Sequence, residues 1–210
     1  MWYANDMNYA LSALIGYVLG CFNFAYIIGR LKGIDIREKG TGNAGASNVF
    51  ISMGKGFGVL TAVLDILKGF LAVYICRRIF LDPNCPYIGG IFAVIGHIFP
   101  FFMHFKGGKG FASYIGMCLG IDWRLGLGVM AMTVVITLIT DYIALATLVT
   151  AFAVPVWLYF KGTPPRVLDM YAVLALIILW KHRINLRRMM NREEKGLRRA
   201  MKKKTDEEAS

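Results

Sequence analysis

Two glycine-rich segments of the sequence carry residue types that bind phosphate. The first, Gly40–Gly45, reads GTGNAG and is followed by Ser47 and Asn48. Closely spaced glycines let backbone N–H groups approach a phosphate, and small hydroxyl and amide side chains add donors. In the second segment, Lys106 and Lys109 flank a pair of glycines, and a lysine ammonium attracts phosphate as a point charge. The sequence therefore indicates phosphate binding, with a flexible glycine-rich loop between spans as the alternative for the first segment.

The first segment also matches the GxGxxG letters of a dinucleotide site, and Asp65 follows its last glycine by 20 residues. Its context does not fit, because an apolar helix and a charged linker precede Gly40, where that motif needs a buried strand. A P-loop is excluded as well, because no Lys-Ser or Lys-Thr pair follows Gly45. Neither pattern therefore predicts a nucleotide site.

Three ionisable residues lie within long apolar segments. Asp65 and Lys68 are three residues apart and share a helix face, so they could pair in either a structural or a functional role. His97 lies three residues before Pro100. Because proline ends or kinks a helix, it leaves backbone carbonyls free for that histidine to meet.

His182 and Asn185 lie at the end of the last apolar segment, where their spacing places both on one helix face. A histidine and a carboxamide at a membrane surface are suited to a polar headgroup. The three histidines, His97, His104 and His182, form no HExxH motif and have no cysteine pair nearby, so no metal site is predicted. The sequence has no GxSxG motif, which argues against a serine nucleophile.

The elements that must position these residues are membrane-spanning helices. With 57% hydrophobic and 18% charged residues, the 210-residue chain is too apolar for a typical soluble domain. Crossing a hydrocarbon core about 30 Å thick takes roughly 20 apolar residues, and fewer in a shielded helix. We predict an all-α integral membrane protein, a compact bundle of about seven transmembrane helices, with five or six spans as the alternative because the last segments are short. The predicted spans are Tyr9–Ile28, Gly58–Cys76, Tyr87–Met103, Phe111–Ile121, Leu125–Thr140, Tyr142–Phe160 and Asp169–Trp180.

The distribution of charge predicts the orientation. Of the 24 lysines and arginines, 18 fall on one side of the seven-span arrangement and five on the other. Because cytoplasmic segments carry the excess of basic residues, we predict an N-terminus outside and a cytoplasmic C-terminus. Residues 1–210 then form a single polytopic membrane domain whose basic cytoplasmic tail, residues 187–210, attracts anionic lipid headgroups. Both glycine-rich segments face the cytoplasm, and nucleic-acid binding is not expected because lipid-buried segments separate the basic residues.

Four motifs, taken together, resemble the bacterial acyl-phosphate:glycerol-3-phosphate acyltransferases. They read GIDIR with GTGNAGASNV from Gly33, DILKG from Asp65, GHIFP with FKGGKG from Gly96, and KHRINL from Lys181. They stand in the family's order and extend over nearly the whole chain. The resemblance implies a compact seven-span enzyme of the bacterial inner membrane that moves a fatty acyl group from acyl phosphate to the 1-position of glycerol 3-phosphate, giving lysophosphatidate. It implies neither a metal nor any other cofactor.

The resemblance also assigns residues within an active site that faces the cytoplasm. Catalytic roles are implied for Thr41, Lys109, His182 and Asn185. With the phosphate-binding pattern described above, we expect substrate binding by Gly40, Gly42, Asn43, Asn48, His97, Gly107, Gly108 and Gly110. The expected partners are acyl phosphate, glycerol 3-phosphate and membrane lipid, and the oligomeric state is left open.

The chain departs from the family pattern at three positions. Ile51 stands where the family has an arginine, Cys21 where it has a serine, and Ala144 where it has another serine. Loss of a bidentate arginine weakens phosphate binding unless Lys55 or Arg37 replaces it. Two alternatives therefore stay open, namely a diverged paralogue with altered substrate or low activity, and a membrane transporter for phosphate esters. The absence of an internal repeat in the sequence argues against the transporter.

Overall fold

The structure is a computed structural model that describes residues 2–194 and 196, with side chains from residue 6 onward. Every regular element among these residues is helical, which confirms the predicted all-α class. The α-helices are α1 (Trp2–Cys21), α2 (Phe24–Leu31), α3 (Ala46–Met53), α4 (Lys55–Ile79), α5 (Cys85–Ile98), α6 (Phe111–Ile121), α7 (Trp123–Thr140), α8 (Ile143–Phe160) and α9 (Pro165–Met190). Two short 3-10 turns lie at Ile36–Glu38 and Phe101–Met103.

Five stretches of the described chain are long and apolar enough to cross a membrane. They are Asp6–Leu31, Lys55–Ile79, Cys85–Met103, Trp123–Thr140 and Ile143–Phe160. Helix α6 has the predicted bounds but only 11 residues. Helix α9 is longer than the predicted span. It continues to Met190, so the first residues of the predicted basic tail, from residue 187, are helical. Most of that tail, residue 195 and residues 197–210, lies outside the described residues.

The first predicted span is not one continuous helix, because α1 ends at Cys21 and α2 begins at Phe24. Asn23 caps α2, since its side-chain oxygen accepts a hydrogen bond from the backbone N–H of Tyr26 at 3.0 Å. Such a cap satisfies a first-turn N–H that the helix leaves without an acceptor. The amide of Asn23 also donates to the carbonyl of Ala44 at 3.1 Å. The break therefore ties the end of α1 to the first glycine-rich segment.

The chain divides into two compact units, Met1–Leu127 and Gly128–Ser210. In the first unit, α1 and α5 run in one direction and α4 and α6 in the opposite one, as the glycine contacts between them show. A Cβ on Gly20 would clash with the backbone of Ala93, and one on Gly116 would clash with the backbone of Ile66. Small residues at such crossings let transmembrane helices pack closely. The helix directions bring both glycine-rich segments to the same end of this unit.

A small apolar core lies beside these segments and fixes them together. It consists of Ala25, Ile36, Ala44, Val49 and Met103, each at most 1% exposed. These residues come from α2, from the turn before the first glycine-rich segment, from that segment, from α3 and from the turn after α5. Because apolar burial is favourable, the core holds five separate pieces of chain in one arrangement.

In the second unit, α8 packs against α9. Thr147 and Thr150 of α8 are buried, and each hydroxyl donates to a carbonyl of its own helix at 2.9 Å. Such bonds give the hydroxyl an acceptor in surroundings where no water reaches it. The unit therefore presents His182 and Asn185 on a helix that is packed along one side by α8.

Candidate active site

The segment Gly40–Gly45, the glycine loop, turns through two positions that only glycine adopts easily. Gly40 has a φ of +56° and Gly42 a φ of +73°, both in the left-handed region where a Cβ is sterically costly. Thr41, between them, is exposed. The loop therefore holds Thr41 at the surface, on a backbone conformation that its flanking glycines permit.

Asn48 of α3 fixes the shape of this loop from inside the protein. Its side-chain oxygen accepts from the backbone N–H of Thr41 at 2.7 Å, and its amide donates to the carbonyls of Ile36 at 2.8 Å and Lys39 at 3.0 Å. The side chain is fully buried. Asn48 thus supports the loop from below, and three hydrogen bonds to the backbone occupy its side-chain amide.

Four backbone N–H groups of the loop have hydrogen-bond partners in the loop itself or in the residues beside it. Gly42 donates to the carbonyl of Lys39, Gly45 to that of Asn43, Asn43 to the Thr41 hydroxyl, and Thr41 to Asn48. The loop then leads into the N-terminus of α3, whose cap, Gly45, contributes no side-chain bond. The first-turn amides of Ala46 and Ser47 lack helical acceptors. The donors of this segment that could bind an anion are therefore those at the start of α3 and the loop's hydroxyl, more than the four bonded amides.

The segment that precedes the glycine loop contains a bidentate ion pair. Arg37 donates to the carboxylate of Asp35 through Nη2 at 2.7 Å and Nε at 3.0 Å. This guanidinium lowers the pKa of Asp35 to about 2, so the carboxylate stays charged at any physiological pH. Arg37 also lies over the Tyr26 ring and donates to the carbonyl of Met103 at 3.4 Å. The guanidinium is therefore engaged by the protein, which does not favour Arg37 as the replacement for the arginine missing at position 51.

The segment Lys106–Gly110, the lysine loop, follows the end of α5. The N–H groups of Gly107 and Gly108 donate to the carbonyls of Ile98 and His97, both at 3.1 Å. Lys106 is exposed, whereas Lys109 is half-buried and lies one residue before Gly110, the N-cap of α6. The two lysines that flank the glycine pair therefore have different surroundings.

The glycine loop and the lysine loop adjoin at Gly108. A Cβ on Gly108 would clash with the imidazole of His97 and lie 2.5 Å from the carbonyl oxygen of Ala44. Gly108 is buried, and Ala44 belongs to the glycine loop. The structure therefore brings together, within the first unit, the predicted binding residues of both loops and His97.

Next to the lysine loop, α4 and α5 bury three ionisable side chains. Lys68 Nζ lies 2.7 Å from Asp65 Oδ1 and 2.9 Å from His97 Nδ1, and it donates to the carbonyl of Phe22 at 2.7 Å. The exposed fractions of Asp65, Lys68 and His97 are 1%, 4% and 3%. The predicted pairing of Asp65 with Lys68 is thus present. The attachment of His97 to that pair is not something the sequence indicates, because 29 residues separate His97 from Lys68.

The second unit holds the other two predicted catalytic residues. His182 is 3% exposed, and its Nδ1 lies 2.8 Å from the carbonyl oxygen of Ile178. Because a carbonyl only accepts, Nδ1 carries the hydrogen, and Nε2 bears the lone pair in the neutral ring. Asn185 is half-buried and donates to Glu194 Oε1 at 2.6 Å. Their spacing of three residues places both on one face of α9, as predicted.

Asn23 contacts the candidate site, and no sequence motif singles it out. It joins the α1–α2 break to the glycine loop through Ala44. An asparagine directly before an apolar helical run is a recognised helix-start signal. Apolar residues continue on both sides of Asn23, so the hydropathy pattern does not show the break between α1 and α2.

The three departures from the family pattern lie in different surroundings. Ile51 is 48% exposed on α3, and Cys21 is 3% exposed at the end of α1. Ala144 is half-buried at the start of α8. Lys55 is exposed at the first position of α4, two residues beyond the end of α3. Lys55 therefore stands closer in sequence to the missing arginine than Arg37 does, and its ammonium lies at the surface.

Comparison with known proteins places the chain among acyltransferases. The family model described as Glycerol-3-phosphate acyltransferase matches residues 10–192. Proteins with that name from Brucella anthropi and Erythrobacter litoralis are 38% and 39% identical to this chain, over 88% and 90% of its length and 91% and 95% of theirs. The chain is also similar to a crystal structure of PlsY, an integral membrane glycerol 3-phosphate acyltransferase, in its glycerol 3-phosphate form, with a TM-score of 0.83, 33% identity and coverage of 90% of this chain and 95% of that one. Another structure of PlsY, in its lysophosphatidic acid form, gives a TM-score of 0.80.

The apolar helices and the likeness to an integral membrane structure define a multi-pass membrane protein. The chain belongs to the glycerol-3-phosphate acyltransferase family. The resemblance inferred from the four sequence motifs is thereby confirmed.

Proposed function

We propose that this acyltransferase moves a fatty acyl group from acyl phosphate to the 1-hydroxyl of glycerol 3-phosphate, giving lysophosphatidate and inorganic phosphate. Family membership supports acyl transfer to glycerol 3-phosphate. The observation that carries the donor assignment is the pair of adjoining loops at Gly108, each of a type that binds phosphate. Two adjoining loops with the features of phosphate-binding sites suit a reaction in which both substrates carry a phosphate.

The reaction needs positioning more than it needs a strong base. The 1-hydroxyl oxygen attacks the carbonyl carbon of the donor, and the bond from that carbon to the phosphate oxygen breaks with its electrons on phosphate. Phosphate is a good leaving group, so holding the two reactants in line supplies much of the acceleration. Such a reaction requires neither a metal nor a cofactor.

Each loop takes one phosphate in this proposal. The donor phosphate lies at the glycine loop, where the Thr41 hydroxyl and the first amides of α3 donate and the helix dipole favours an anion. The acceptor phosphate lies at the lysine loop, where Lys109 supplies the charge and the N-terminus of α6 adds to it. Gly107, Gly108 and Gly110 give the lysine loop its close backbone approach.

His182 and Asn185 act on the 1-hydroxyl in this proposal. The hydrogen bond from His182 Nδ1 to Ile178 leaves Nε2 as the acceptor nitrogen of a neutral ring. That nitrogen suits a group that orients a hydroxyl or takes its proton. A phosphate oxygen of the substrate is the alternative proton acceptor.

The donor is tested with purified protein in detergent. We expect lysophosphatidate and inorganic phosphate in equal amounts from acyl phosphate and glycerol 3-phosphate. Acyl-coenzyme A, which carries the same acyl chain without the acyl phosphate bond, serves as the control donor. Product from acyl-coenzyme A but not from acyl phosphate would overturn the donor assignment. No product from either donor, together with counterflow of glycerol 3-phosphate in liposomes, would favour a transporter.

We also propose that residues 1–210 work as one polytopic domain of seven spans in the bacterial inner membrane, with the site facing the cytoplasm. The five long apolar stretches, the short α6 and the C-terminal α9 would supply the spans. The excess of basic residues supports a cytoplasmic C-terminus and a basic tail, residues 187–210, on anionic lipid. Acyl donor and product would then exchange sideways with lipid.

Reporter fusions test this orientation. We expect fusions after Lys204 and within residues 32–56 to report the cytoplasm, and a fusion at Pro83 to report the outside, because basic residues concentrate on the first two segments. Paired reporters that are active on opposite sides of the membrane provide the control at each position. A cytoplasmic signal at Pro83 would contradict the seven-span arrangement.

A further inference from the structure

We propose that buried Lys68 fixes the ring of His97 in the tautomer that carries its hydrogen on Nε2, and that this N–H positions the lysine loop against the glycine loop. Lys68 and His97 are then positioning residues, because they act through the loops. The effect on activity described below rests on the proposed acyl transfer. The tautomer itself does not.

Lys68 has three hydrogen-bond partners. Its ammonium contacts Asp65 Oδ1 at 2.7 Å, His97 Nδ1 at 2.9 Å and the Phe22 carbonyl at 2.7 Å. An ammonium has three hydrogens to donate and accepts none. Three partners at hydrogen-bond distance use all three donors.

The contacts of Lys68 determine which nitrogen of His97 carries the hydrogen. Lys68 and Asp65 neutralise each other in a site where both are almost fully buried. His97 Nδ1 lies 3.4 Å from Asp65 Oδ1 and closer, at 2.9 Å, to the Lys68 ammonium, and an ammonium can only donate to it. The neutral ring must then accept the Lys68 hydrogen bond at Nδ1, which leaves the hydrogen on Nε2.

His97 Nε2 lies beside Gly108 of the lysine loop. A Cβ on Gly108 would clash with Nε2 and also approach the carbonyl oxygen of Ala44, to which Asn23 donates. The N–H of Gly108 donates to the carbonyl of the same histidine at 3.1 Å. The Nε2–H group is therefore held at the junction of the two loops, where it sets their separation.

The tautomer is measured directly by ¹⁵N NMR of histidine-labelled protein in detergent at neutral pH. The His97 resonances are assigned by their loss in His97→Gln. We expect a protonated Nε2 and an unprotonated Nδ1 in the wild-type protein. A ring protonated on Nδ1, or on both nitrogens, would overturn the proposal without any reference to activity.

A matched pair of variants tests the position of the donor. The amide of glutamine reaches the place of Nε2, whereas the shorter asparagine reaches only the place of Nδ1. We expect His97→Gln to keep kcat/KM within about tenfold of the wild type, and His97→Asn to lose at least about a hundredfold. The loss should appear mainly in KM for glycerol 3-phosphate. Equal losses, or the reverse order, would contradict a role for Nε2–H.

The double variant Asp65→Asn with Lys68→Met removes both charges at nearly constant volume. We expect it to fold, because no buried charge is left without its partner, and to show a changed His97 tautomer and a raised KM. An unchanged tautomer in this variant would overturn the role of Lys68. Wild-type protein that makes no lysophosphatidate would contradict the proposed function, while the NMR result would still decide the tautomer.

Discussion

Replacing Lys109 with alanine should lower kcat/KM for glycerol 3-phosphate at least about a hundredfold, whereas Lys106→Ala should lose less than about tenfold. The two lysines look equivalent in the sequence, because they flank the same pair of glycines. Lys109 is half-buried directly before the N-cap of α6, and Lys106 is exposed. A hundredfold corresponds to about 2.7 kcal/mol, the scale of one preorganised electrostatic contact.

The difference between the two variants follows from their surroundings. An ammonium–phosphate contact is stronger where part of the water is excluded, and the start of a helix adds a favourable field for an anion. An exposed ammonium is screened by water and salt and contributes little. The measurement is steady-state acyl transfer, with the yield of folded protein extracted in detergent as the control. Equal losses would show that the loop acts as a diffuse basic patch, and full activity of Lys109→Ala would remove it from the site.

The helices could be predicted well from the sequence because apolar runs and their polar breaks carry the main signal. The Phe111–Ile121 segment has the predicted bounds, and the predicted start of the seventh span lies within α9. The α1–α2 break was missed because Phe22 and Phe24 keep the run apolar around Asn23. Mean hydropathy depends only on the residue types in a segment, so it does not report the hydrogen bond from Asn23 to the glycine loop.

The candidate site could be predicted as residue types but not as contacts. Glycine spacing identified the glycine loop, since glycine adopts the positive φ of Gly40 and Gly42 without strain. Substrate binding by Asn48 stays a prediction, and the sequence did not show that its amide holds the loop by bonds to Ile36 and Lys39. Such bonds depend on how α3 folds back on the preceding turn, which local sequence does not encode.

Gly108→Ala should lower kcat/KM at least about a hundredfold in a protein that still folds. The added methyl would meet the His97 ring and the carbonyl of Ala44. Neither neighbour can yield easily, since Lys68 holds the ring at 2.9 Å and Asn23 holds the carbonyl at 3.1 Å. The lysine loop must therefore move.

A displacement of about 1 Å can cost about a hundredfold in rate when a reaction depends on positioning. The matched control is Gly56→Ala, because Gly56 lies near the start of α4 and a Cβ there would meet nothing within 4 Å. That variant should keep near wild-type activity, since alanine also favours the helix. Thermal unfolding in detergent separates a moved loop from a lost fold. A Gly108→Ala protein with wild-type kcat/KM would show that the close contact between the two loops is not needed for acyl transfer.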